Sequence, residues 1–144
     1  MRDFDQLLTM TQDEIGLDAY VMFPDSRRSI PDTVLWAFAS ACLIEYVKPL
    51  IDLKGLGEKS RHLIEELLQR WRSKRNFEEL AASPELTAAV KEALTAASSA
   101  DKDIDRTNSI SNLAQALTAL GIRAAVANRH AEAIADLVSA HQKK

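Results

Sequence analysis

The chain has 144 residues, 47% hydrophobic and 27% charged, the ordinary composition of one soluble globular domain. A chain this long hides about 70% of its unfolded surface, so neither a metal nor a disulfide is needed to stabilise it. Its formal charge of −3 excludes a whole-surface attraction to nucleic acid or anionic lipid, and its single cysteine, Cys42, excludes a disulfide framework within the chain. Met1 to Asp5 already carries Asp3 and Asp5, with no basic segment ahead of an apolar stretch. Together with the cysteine usage this leads to the expectation of a cytoplasmic protein.

Helical periodicity recurs almost everywhere and strict alternation almost nowhere. The expected fold is therefore all-α: a bundle of about five to six helices in a single domain over 1–144, with 98–103 as a place where it could be subdivided. A first helix is expected over about 4–15, opened by Asp3 and Gln6 and stopped by Gly16. Leu17 to Arg28 lacks a helical period, and Tyr20-Val21-Met22-Phe23 ahead of Pro24 reads as an extended segment and turn.

Ser29-Ile30-Pro31-Asp32 has the chemistry of a helix start, with a capping hydroxyl, proline in the first turn and a carboxylate at the positive end of the dipole. The run from Val34 to Ile44 that follows is apolar on every face. Such a helix belongs inside other helices, so it is placed at the centre, over about 30–48. Its uncharged span, Thr33 to Ile44, is shorter than the roughly 20 residues of a membrane crossing, and no membrane association is expected. Pro49 should end or kink it.

After a turn at Gly55 and Gly57, Leu63, Ile64, Leu67, Leu68 and Trp71 mark one stripe of a helix over about 58–74. Asn76 with Glu79, and then Ser83-Pro84, restart helical structure that continues through Leu86, Val90, Leu94 and Ala97. Two helices around Gly121 complete the chain. Ile110, Leu113, Leu117 and Leu120 on the first, and Ala127, His130, Ile134, Leu137 and His141 on the second, form the seams of an antiparallel hairpin, with Asn108, Ser109, Ser111, Asn112 and Gln115 facing elsewhere.

Three groups of residues are candidates for function. The turn Leu53-Lys54-Gly55-Leu56-Gly57-Glu58-Lys59-Ser60, with flanking anchors out to Ile64, resembles a helix-hairpin-helix DNA-binding motif. The resemblance spans about 49–68. It implies that Gly55, Leu56, Gly57, Lys59 and Ser60 present backbone N–H groups and a helix N-terminus to a DNA phosphate, without regard to base sequence. Arg61, where the family places a small residue, and Glu58, where it favours a neutral one, depart from the pattern. Downstream, Arg70, Arg72, Lys74 and Arg75 make a basic patch on an acidic protein. The competing account is a plain interhelical turn, with C-terminal cations that complement the helix dipole.

Arg123 and His130 lie seven apart, on one helix face. The pair is similar to the motif of the HEPN ribonucleases, which implies a phosphate-steadying arginine and a proton-transferring histidine. Here six residues intervene and Ala124 replaces the usual polar neighbour. The simpler account is a histidine at the core edge and an extended surface arginine. Tyr20, Met22 and Phe23 beside Arg27 and Arg28 have the composition of a protein contact surface, or of residues that seal the end of the bundle. His62, His130 and His141 do not combine at metal-ligand spacing, so no metal or cofactor is expected. The sequence thus points to a non-enzymatic macromolecule-binding or regulatory module. A protein partner or self-association comes first, DNA binding through 53–60 next, and ribonuclease action through Arg123 and His130 last.

Overall fold

The computed structural model describes residues 2–22, 32–73, 78–81, 83–99 and 105–142, with backbone alone at 2–4, 16–22, 32, 78, 81 and 141–142. Its α-helices are α1 (Arg2–Met22), α2 (Asp32–Val47), α3 (Glu58–Arg72), α4 (Glu78–Ala81), α5 (Pro84–Ser98), α6 (Arg106–Ala119) and α7 (Ala124–Gln142). Among the described residues there is no strand, and the fold is an all-α bundle.

The apolar run sets the architecture. Every residue from Ala37 to Ile44 is buried, and α2 packs against each of the other six helices. A helix without a polar face has no side to show water, and each fully buried Leu, Ile, Val or Phe contributes about 1.5–3 kcal/mol. Of its polar side chains, the Ser40 hydroxyl donates to the Trp36 carbonyl at 2.8 Å, whereas Glu45 Oε2 is buried without a hydrogen-bond partner. Thr33–Leu50 is long and apolar enough to cross a membrane by length and composition, and 67% of it is buried inside the bundle. Proline lacks the N–H needed to continue an α-helix, and α2 gives way at Pro49 to a 3₁₀ turn over Lys48–Leu50.

The first helix departs from expectation. It does not stop at Gly16 but continues to Met22, so the proposed extended segment at Tyr20 to Phe23 is helical as far as Met22, and Phe23 to Arg28 lie outside the described residues. A glycine inside a helix costs about 1 kcal/mol, less than burial of a few side chains returns. Leu7, Thr11 and Ile15, one turn apart, are all buried, and α1 packs against both α7 and α2.

The α3 helix runs antiparallel to α4 and α5. Gly57 meets Glu92, Lys59 meets Glu85 and Arg70 meets Glu79, so position falls on one side as it rises on the other. The Ser83 hydroxyl accepts from the Glu85 N–H at 3.2 Å, with Pro84 in the first turn, as the sequence indicates. Ala89, Ala93 and Ala97 on α5, and Ala127, Ala131 and Ala135 on α7, are buried at intervals of four. Their small side chains let neighbouring helices approach closely.

The hairpin of α6 and α7 is the one expected. Gly121, at φ +104°, closes α6: Ile122 N–H donates to the Leu117 carbonyl at 3.1 Å and Gly121 N–H to Thr118 at 3.0 Å. This is the paired bonding of a Schellman cap, and both Ile122 and Leu117 are buried beside it. At the other end Arg106 reaches Asp136 at 2.7 Å, as the antiparallel sense of the two helices allows. Ser109, expected on the outer face, is buried instead.

Phe38 is 1% exposed, whereas its neighbour Trp36 is only partly buried. Phe38→Ala should lower unfolding free energy by about 3–5 kcal/mol, with Trp36→Ala costing clearly less. Urea titration of both variants checks the ranking, and equal losses would contradict it.

Candidate functional site

The glycine turn is built from its own backbone. The Asp52 carboxylate accepts from Lys54 N–H at 3.0 Å, Gly55 N–H donates to the Asp52 carbonyl at 3.0 Å, and a 3₁₀ turn forms over Leu53–Gly55. Leu56 is buried and anchors the turn to the core. Gly57 caps α3 with φ −55°, a value open to any residue, and a Cβ there would make an ordinary contact with Glu92 Oε1 at 3.7 Å.

Three donors of this turn, the Gly57 N–H, the Ser60 hydroxyl and the Lys59 ammonium, are taken by carboxylates of α5. Gly57 N–H donates to Glu92 Oε1 at 2.9 Å, and the Ser60 hydroxyl donates to Glu92 Oε2. Lys59 Nζ lies 3.0 Å from Glu85 Oε1. Glu92 therefore sits where a phosphate would have to sit, at the positive end of the α3 dipole. The Gly57 N–H, and after it the Ser60 hydroxyl, hold its carboxyl below the ordinary value of 4.5. An open depression of about 580 Å³ beside this contact is lined by Glu58, Glu65 and Glu85 together with Lys59, Arg61 and His62, so it offers no field of a single sign.

The structure divides the basic patch. Arg70 is held between Glu66 at 3.0 Å and Glu79 at 3.6 Å, with its side chain 25% exposed, whereas Arg72 faces solvent. Lys74 and Arg75 lie outside the described residues. As a conventional i, i+4 pair, Glu66 and Arg70 also stabilise α3.

Arg123 and His130 are not presented together. Arg123 is exposed just before α7, where its carbonyl accepts from Ala127 N–H at 2.8 Å. His130 is 0% exposed, and neither Nδ1 nor Nε2 has a hydrogen-bond partner. Burial pulls its pKa from 6.5 to about 4, so the ring is neutral at pH 7. The exposed cation beside it, Arg129, pairs with Glu14 of α1 at 3.4 Å.

Tyr20 and Met22 fall in the last turns of α1, while Phe23, Arg27 and Arg28 lie outside the described residues. Cys42 is buried in α2, and burial, then the nearby Glu45 charge, pushes its thiol pKa well up. A neutral, sealed thiol is a poor nucleophile. Among the described residues no group of three or more His, Cys, Asp or Glu is placed to hold a metal ion. No family model matches the chain, and no curated protein or solved structure matches it.

Glu85 and Glu92 are the residues sequence reasoning missed. They stand 26 and 32 positions from Lys59 and Ser60, and no periodicity links them. The available signal was the pairing of α3 with α5, which places the acidic positions of one helix over the N-terminus of the other.

Replacement of Glu92 by Ala should lower the melting temperature at pH 7. Because the folded-state pKa is depressed, this stabilisation is present above the unfolded carboxylate pKa and is lost as pH falls through the folded value. Melting curves from pH 7 to pH 3 should therefore converge for the parent and Glu92→Ala, and a constant gap would contradict the contact.

His130 behaves in a related way through burial. Between pH 6.5 and about 4 the unfolded chain binds a proton that the folded chain refuses, so stability falls as pH falls, by about 3 kcal/mol at full extent. His130→Leu removes this loss and the unpaired nitrogens together. In urea titrations it should exceed the parent in stability at pH 7, and by more at pH 4.5. An unchanged difference between the two pH values would contradict a buried neutral ring.

Proposed function

We propose that this chain is a non-enzymatic helical module that acts by binding another macromolecule, a protein first of all, in the cytoplasm. The observation that carries the reading is the occupation of the glycine turn by its own carboxylates: Gly57 and Ser60 on Glu92, and Lys59 on Glu85. Donors satisfied within the chain have to break those bonds before they can receive a phosphate, and a DNA strand approaching there meets Glu58, Glu85 and Glu92. Burial of His130 supports the same reading, since a general acid or base must come within hydrogen-bond reach of the proton it transfers.

The test runs two measurements on the full chain. A gel-shift titration with duplex DNA at low salt, and incubation with single-stranded RNA, should show neither retardation nor cleavage. A stoichiometric complex should be recovered by affinity capture from an extract of the source cells. Retardation abolished by Lys59→Glu would overturn the reading in favour of DNA binding, with the steep salt dependence of phosphate contacts as its signature. RNA cleavage lost in His130→Ala would overturn it in favour of ribonuclease action.

A further inference from the structure

The helices wrapped around α2 fall into two sets. On one side α7 packs on α6, α1 and α2, and on the other α5 packs on α3, α4 and α2. Among the described residues, contacts from α6 or α7 to α3, α4 or α5 are at most marginal. A fold divided this way can open by parts, because separating one set leaves the packing inside the other intact. The α6–α7 hairpin is the part best able to leave whole. It is contiguous in sequence and holds itself together, through the Gly121 cap at one end and Arg106 with Asp136 at the other. Its inner faces are apolar, with Leu113, Leu117, Val126 and Ile134 buried. Its ion pair to α1, Arg129 with Glu14 at 3.4 Å, has the arginine largely exposed, and pairs of that kind add little to stability.

His130 is the exception on this apolar seat. Its ring is wholly buried and neither nitrogen has a hydrogen-bond partner, so a second N–H on the ring would have no acceptor. The elements packed against α7 bring no free carboxylate to it. Of the ionisable side chains described on α1, Asp5 and Asp13 face solvent and Glu14 is drawn to Arg129. Those on α2 are Cys42, Glu45 and Tyr46, and none of them hydrogen-bonds the ring. On α6 no charged residue follows Arg106, which is engaged by Asp136. On α7 itself Arg123, Glu132 and Asp136 point outward.

We propose that the α6–α7 hairpin is an acid-released flap, seated on α1 and α2 while His130 is neutral and let go when the ring takes a proton. A charged ring is unpaired in the closed bundle and hydrated in the open one, so the proton goes to the open form. Closed, the ring has a pKa of about 4, and in water it returns to 6.5. Opening is therefore favoured as pH falls through that interval, by about 60-fold between pH 7 and pH 4.5. The released hairpin uncovers apolar faces of α7 and α2, whose inner positions include Ile134 and Phe38. The device stands apart from the reading as a binding module and does not depend on it.

Hydrogen exchange of the full chain at pH 7 and pH 4.5, resolved by helix and corrected for the intrinsic pH dependence of amide exchange, tests this. Amides of α6 and α7 should lose protection in acid by roughly the factor above relative to those of α3 and α5. His130→Leu and His130→Gln cannot take the proton, and each should remove that excess while leaving α3 and α5 as protected as in the parent at pH 4.5. Should one of the two fail to fold, the other decides. Equal losses in all four helices would overturn the flap in favour of whole-molecule unfolding. Full protection of α6 and α7 at pH 4.5, or an excess loss that persists without the imidazole, would overturn it as well.

Discussion

The exclusion of α2 from water on all sides is the constraint from which the rest of the architecture follows. A helix carrying Phe38, Ala39, Ala41, Cys42 and Leu43 in near succession has no orientation on a surface that leaves its apolar area covered. It has to be enclosed, and the six helices that touch it do so with faces whose outer sides are polar. The alanines of α5 and α7 add small side chains to these inner faces, buried at intervals of four that keep them on one side of each helix. The helical ends are then finished by local chemistry, through Ser83 on α5, Asp105 on α6 and Gly121 in the hairpin.

Enclosure also decides what the candidate sites can do. The wrapping that buries α2 brings α5 across the N-terminus of α3, and its carboxylates settle on the donors that a phosphate-binding turn would need. An acidic helix laid over a helix N-terminus is electrostatically favourable in itself, so the contact stabilises the fold while closing the turn. His130 is governed in the same way. Its position on α7 faces inward along with Ala127, Ala131 and Ile134, and the burial that leaves its nitrogens unpaired and its ring neutral makes it a poor proton carrier near neutral pH.

How far the sequence discloses this depends on the range of the interaction concerned. The central helix was legible in the uncharged, largely apolar run of residues 34–44, and the α6–α7 hairpin in the three-and-four spacing on either side of Gly121. The start of α5 was legible in Ser83-Pro84. All three are local signals, with cause and effect within a turn or two. Continuation of α1 through Gly16 was not legible, because a glycine's local preference is weak beside tertiary context, and α1 packs against α2 and α7, both distant in sequence. The state of the glycine turn was hidden for the same reason. Gly55 to Ser60 describe the donors, but the acceptor that occupies them arrives from Glu92, and only the tertiary arrangement of α3 and α5 joins the two.

Native-state hydrogen exchange tests the enclosure of α2 most directly, because amide protection measures how much of the molecule must open before a given N–H meets water. Amides of residues 37–44 should be the slowest in the chain and should exchange with the free energy of global unfolding obtained from denaturant. Exchange of that segment at or above the rate of the outer helices α3 and α6, at a free energy well below the global value, would contradict a fold organised around it.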